Sequence, residues 1–137
     1  MSTDFDVVVV GAGLSGIDAG YRLQTLCPDK TYTILEARQE MGGTWDLFRY
    51  PGIRSDSDLF TFGFQFKPWT DEMALADGPA IKRYIEDTAA EFGIDKHIQF
   101  NSRVSRAAFD TSSSTWTLTL DDARTVTCNF LYSCAGY

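Results

Sequence analysis

The order of events between Phe5 and Glu36 limits the fold of this chain more than any other feature. Phe5–Val10 (FDVVVV) is a short apolar run dense in β-branched residues. Such a run suits a strand buried on both faces of a parallel sheet, since a half-exposed strand would alternate. It opens into Gly11-Ala12-Gly13-Leu14-Ser15-Gly16, followed by apolar residues near helical spacing from Ile17 to Leu26, with Pro28 ending the segment. Thr31–Leu35 (TYTIL) reads as a second strand, and Glu36 closes it.

Each part of this strand, turn, helix, strand and acid has a physical reason. Gly11 permits the tight turn out of the first strand, and Gly13 has no Cβ to keep a diphosphate away from the backbone. Gly16 lets the helix pack close to the sheet, and the N–H groups of the first helical turn face anions with the favourable end of the dipole. Gly20 lies on the same helical face. A glycine inside a helix is about 1 kcal/mol worse than alanine, so Gly20 predicts a further close approach. Glu36 stands near the spacing of about 20 residues at which an acid accepts hydrogen bonds from a ribose. A carboxylate there repels a 2′-phosphate, so this site is expected to hold an adenosine with a free 2′-OH.

Beyond Glu36 the chain runs Arg38-Gln39-Glu40-Met41-Gly42-Gly43-Thr44-Trp45-Asp46-Leu47 and then Arg49-Tyr50-Pro51-Gly52-Ile53-Arg54-Ser55-Asp56-Ser57-Asp58. Adjacent glycines followed by Thr and Trp make poor helix and poor strand, and Pro51-Gly52 is a turn signal. The expectation is a long irregular loop whose backbone N–H donors pass close to a ligand.

These three blocks together resemble flavin-containing monooxygenases, and more narrowly the Baeyer–Villiger monooxygenases of the ethionamide-activating type, over essentially the whole chain to Ser133-Cys134-Ala135-Gly136-Tyr137. The resemblance implies an α/β fold, a Rossmann-like FAD-binding parallel sheet with an inserted antiparallel β-meander. It implies FAD in the first site, with Gly11, Gly13, Ser15 and Gly16 at the pyrophosphate and Glu36 at the adenosine ribose. Gly43, Thr44, Trp45, Asp46 and Leu47 would line the ribityl and flavin end. Asp56 would sit by the isoalloxazine as the residue closest to the chemistry, helping to hold an arginine supplied from elsewhere. Arg54, Ser55 and Asp56 would lie where the nicotinamide half of NADPH approaches, and the Val104 backbone would meet the adenine. Two plainer readings stand beside these: Trp45 as a core aromatic, and Asp56 as a helix cap before Leu59.

Further along, Gly78-Pro79 opens a helix with Ile81, Tyr84, Ile85, Thr88, Ala89 and Phe92 on one face, and Gly93 stops it. Lys82, Arg83, Glu86, Asp87 and Glu91 lie mostly opposite and read as a solvated face without chemistry. His97–Phe100 reads as a third strand. Thr115–Leu120 and Thr125–Cys128 alternate around Asp121-Asp122-Ala123 as a hairpin, with Arg103–Phe109 as an added antiparallel strand. Phe130–Cys134 (FLYSC) is expected to return as a separate, buried strand.

Charge and composition narrow the partners. Acidic residues outnumber basic ones 19 to 12, a net charge of −7 that disfavours nucleic acid and anionic lipid. Three cysteines without a CxxC pair and a single histidine offer no metal set and read as small hydrophobes in a reducing cytosol. The opening residues carry Asp4 and Asp6, and the apolar run is broken by glycines, so neither a signal peptide nor a membrane span is expected. A monooxygenase of this type needs a second dinucleotide site for NADPH. No second GxGxxG occurs after Gly16. The expectation is therefore that residues 1–137 form the N-terminal part of the FAD-binding domain of a longer polypeptide, whose remainder is their partner. That parent would oxidise a ketone, thioether or amine, and the isolated chain would bind cofactor without turnover.

Overall fold

A computed structural model describes residues 2–136; Tyr137 lies outside the described residues. Six strands form one sheet in the order β3-β2-β1-β6-β5-β4. The strands are β1 (Phe5–Val10), β2 (Tyr32–Leu35), β3 (Ile98–Gln99), β4 (Val104–Asp110), β5 (Thr115–Leu120) and β6 (Thr125–Ser133). The first three and the later half of β6 run parallel, with Val7 opposite both Tyr32 and Phe130. β4, β5 and the earlier half of β6 form an antiparallel meander. This is the expected parallel sheet with an inserted meander.

Val8 and Val9 are fully buried, one on each face of β1. Val9 joins Ile17, Ile34, Ile81 and Ile85 beneath helices α1 (Leu14–Leu26) and α4 (Gly78–Glu91). Val8 joins Leu35, Leu118, Leu120 and Cys128 against the meander. The run of valines is thus buried on both faces, as a parallel strand between two layers requires. Gly20 meets the close packing expected of it: a Cβ there would stand 2.9 Å from an Ile94 methyl and 3.3 Å from Ile34.

α4 forms as the sequence predicts. Asp77 caps it by accepting from the Ala80 N–H at 2.9 Å, Ile81, Tyr84, Ile85, Thr88 and Ala89 are buried, and Gly93 adopts φ +70° beyond its end. Residues 63–77 carry no regular element beyond one bridge between Arg54 and Asp77, yet they are pinned by aromatic packing. Phe66 stacks on Tyr21 at 3.6 Å, Phe64 stacks on Tyr84 at 5.5 Å, and the Tyr84 hydroxyl accepts from the Phe64 N–H.

Four sequence expectations are corrected. The hairpin strand and the returning strand are one continuous β6, which pairs with β5 through Thr125 to Cys128 and passes to β1 from Cys128 to Ser133. Its last part is not buried: Phe130 and Tyr132, in register with Val7 and Val9 on the helix-covered face, are 64% and 49% exposed. The stretch after Glu36 is not wholly irregular, since the one-turn helix α2 (Thr44–Leu47) interrupts it, and α3 (Leu59–Phe62) follows it. The third strand is also shorter than expected, since His97 belongs to a 3-10 turn (Ile94–His97).

Candidate functional site

The candidate site lies at the carboxyl ends of the parallel strands. Gly11 follows β1, Glu36 follows β2 and Cys134 follows β6. The chain proceeds from β1 outward to β2 and β3, then returns to the other side of β1 as β6. Open α/β sheets bind ligands at such a reversal of strand order.

The glycine turn is shaped by backbone contacts. Gly11 has φ +106°, and a Cβ there would collide with the Cys134 carbonyl. A Cβ on Gly16 would collide with the Gly11 carbonyl oxygen, so the helix can enter this close to the strand only with glycine. α1 begins at N-cap Gly13 with no side-chain cap and no acid in its first turn. The first turn of α1 is thus left without a side-chain cap of its own, beside the exposed Ser15.

Glu36 is 6% exposed. Its Oε1 accepts from the Ala12 N–H at 2.9 Å and its Oε2 from the Arg38 N–H at 3.1 Å. The acid is thereby tied into the turn itself. Each oxygen keeps a second lone pair for an outside donor such as a ribose hydroxyl.

The second glycine pair packs on the first. Gly42 donates from its N–H to the Ala12 carbonyl at 2.9 Å. Gly43 has φ +56°, and a Cβ there would stand 3.0 Å from the Gly13 Cα. A Cβ on Gly13 would in turn stand 3.3 Å from the Gly43 Cα, so the two backbones approach closely at this point. α2 follows directly, and Asp46 within it is 1% exposed. Its Oδ2 accepts from Arg38 Nε at 2.9 Å, and its Oδ1 from Arg49 Nη2 at 2.6 Å with Lys82 Nζ at 3.0 Å. Glu40 closes the knot, 2.8 Å from Lys82 Nζ and 3.2 Å from Arg49 Nη2. Burial by itself would raise the Asp46 carboxyl, but the hydrogen bonds from Arg38, Lys82 and Arg49 outweigh it and hold the group well below the ordinary carboxylate range.

The remaining predicted residues take varied positions. Thr44 and Leu47 are exposed on α2. Trp45 is half-buried, edge-on to Phe62 with centroids 6.4 Å apart. Trp45 also lines an open cleft of about 900 Å³ with Phe48, Tyr50, Arg54, Trp69 and Lys82. Ser55 is buried, its hydroxyl donating to the Ser57 carbonyl. Asp56 is exposed, and the cap of α3 is Asp58, which accepts from the Thr61 N–H at 3.0 Å. Val104 starts β4, packed beside Val8 and Leu35. The loop before it reaches back to the site, with the Ser102 N–H donating to the Glu36 carbonyl at 2.8 Å.

Lys82 was missed in the sequence as a site element. Reading it as part of a solvated helix face is corrected by its bonds to Asp46 and Glu40, which lie far away along the chain. Nothing local signals that pairing. Among the described residues no group of His, Cys, Asp and Glu could hold a metal ion, and no helix is long and apolar enough to cross a membrane.

Uncapped helix, glycine turn and buried acid together have the arrangement of a Rossmann-like unit. Residues 9–74 match the NAD(P)-binding Rossmann-like domain family. The chain is 53% identical over its whole length to the FAD-containing monooxygenase EthA of Mycobacterium tuberculosis, of which it spans 29%. Among solved structures, it resembles an oxidised steroid monooxygenase bound to NADP with a TM-score of 0.91 and 34% identity, covering 98% of this chain and 26% of that one. It resembles OTEMO in complex with FAD and NADP equally closely, with a TM-score of 0.91 and 33% identity over 99% of this chain and 26% of that one. This chain is thus similar throughout to part of the FAD-containing monooxygenases and spans under a third of their length.

Proposed function

We propose that this chain is the FAD-binding portion of an FAD- and NADPH-dependent monooxygenase whose substrate is a ketone, thioether or amine. The observation that carries the reading is Glu36, bonded to the Ala12 N–H beside an α1 terminus that no side chain caps. Similarity to a monooxygenase that contains FAD, and to one solved with FAD and NADP, supports the choice of flavin over NAD.

The residues present fit the group. The first turn of α1 offers N–H donors to a diphosphate, and a Cβ at Gly11 or Gly16 would disrupt that turn. Glu36 would accept from the ribose hydroxyls. Thr44, Trp45 and Leu47 would flank the ribityl and flavin end, with Arg54, Ser55 and Asp56 toward the nicotinamide side and the Val104 backbone toward the adenine. Bound FAD supplies the redox and oxygen chemistry, and the protein supplies binding, orientation and exclusion of water. Asp56, exposed on its loop, is available to hold a cation contributed by the rest of a longer polypeptide.

The test is titration of the purified chain with FAD, followed by its visible spectrum and flavin fluorescence, with NAD as the competitor. Saturable FAD binding that NAD does not displace is expected. Binding of NAD without flavin defeats the assignment. Substrate-dependent NADPH oxidation by the 137-residue chain alone would overturn the view that it needs a second dinucleotide domain.

A further inference from the structure

We propose that Asp46 is a positioning residue: its buried carboxylate gathers Arg38, Arg49 and Lys82 and so holds the Gly42–Gly43 backbone against Gly13, setting the seat of the diphosphate and ribityl portion of the cofactor. The inference rests on the reading of the site as a dinucleotide cradle. It assigns Asp46 a role apart from touching the ligand.

The cations arrive from three directions. Arg38 comes from the segment after β2, Arg49 from the segment after α2, and Lys82 from the first turns of α4. Among the described residues Asp46 alone touches all three, and its position in α2 places it directly over Gly42. A Cβ on Gly42 would stand 3.2 Å from the Asp46 Cβ and 3.3 Å from the Lys82 Cγ, so the glycine is clamped beneath the ion pair. On its other side Gly42 donates to the Ala12 carbonyl, and Gly43 lies against Gly13.

The electrostatic balance favours a brace over a contact. Both carboxylate oxygens of Asp46 are engaged by cations, and Arg49 also donates from Nε to the Asp46 carbonyl at 2.8 Å. A buried carboxylate so engaged is poorly placed to serve a ligand as well. Removing its charge leaves Glu40 as the remaining acid of the knot against three cations, with Arg38 unpaired, and their mutual repulsion loosens the knot. The loop that closes on Gly13 would then lose its anchor to α4, while the strand order and the Gly11 turn remain.

Three proteins decide it: the full 137-residue chain, Asp46→Asn, and Ile85→Val as a core control that lowers global stability without touching the knot. FAD affinity is measured by fluorescence quenching, and amide exchange is followed by NMR at Gly42 and Gly11, each protein held equally far below its melting temperature. Asp46→Asn is expected to weaken FAD binding about tenfold relative to the control, the scale of one lost charge-assisted contact. It should speed exchange at Gly42 while leaving Gly11, bonded to the Leu35 carbonyl, protected. Equal affinity and equal Gly42 exchange in Asp46→Asn and Ile85→Val overturn the proposal and leave Asp46 a stabilising ion pair only. If Asp46→Asn does not fold, Lys82→Met keeps the aliphatic stem, removes one cation and carries the same expectation. If the unaltered chain takes no FAD, the proposed function fails, and selective loss of Gly42 protection still decides the positioning role.

Discussion

The Glu36→Ala substitution removes an acceptor from two backbone amides at once, and their different exposure sets the magnitude. Ala12 is fully buried, so its N–H has no water to turn to when Oε1 is removed. Leaving such a donor unpaired costs about 1–3 kcal/mol. Arg38 is exposed, and its N–H exchanges Oε2 for water with little loss. A chain of this size shifts its melting temperature by about 3–4 °C per kcal/mol, so a fall of roughly 3–12 °C is expected by circular dichroism. FAD affinity should fall separately, by about 1.5–3 kcal/mol for charge-assisted bonds to the ribose, or about 10- to 150-fold in Kd. Glu36→Gln keeps one carbonyl oxygen for the Ala12 N–H but no charge, so it should retain most of the melting temperature and lose most of the affinity. A melting temperature within about 1 °C of the parent would refute the claim that Glu36 supports the turn. An unchanged Kd in both variants would remove Glu36 from the site.

Gly16→Ala opposes two principles: helix propensity favours alanine by about 1 kcal/mol, whereas the Cβ would strike the Gly11 carbonyl. Net destabilisation is expected in a denaturant melt, and a stabilised variant would show that the turn is looser than described. The depressed Asp46 carboxyl should contribute stability that is present above the ordinary value of 3.8 and lost as pH falls below it. Urea midpoints of the parent and Asp46→Asn should therefore differ near neutrality and converge in acid, and a constant gap across that range would contradict the shift. Phe130→Ser, on the uncovered part of the sheet, should change stability by less than about 1 kcal/mol and reduce self-association in sedimentation velocity. Severe destabilisation would mean that the Phe130 side chain is packed.

Much of the fold was legible because its signals are local. The valine run, the spacing of Gly11, Gly13 and Gly16, the capped amphipathic face of α4 and the alternation in β5 each arise from neighbours within a turn or a pleat. Glu36 stood out for the same reason, as the acid that closes a strand shortly after the glycine turn. The continuity of β6 was hidden, because a strand that changes partners midway carries no mark of the change in its own residues. α2 was hidden too, since a single turn following glycines is settled by what it packs against.

From residue order alone follow a parallel strand, a glycine turn, a helix and a carboxylate, because backbone sterics and hydrophobic period act over a few residues. Tertiary packing alone brings Lys82 of α4 to Asp46, sets Gly43 on Gly13 and gives the Ala12 N–H to Glu36. Those contacts join segments distant along the chain. Burial decides them, because a carboxylate or an amide withdrawn from water must find its partner wherever the fold delivers one.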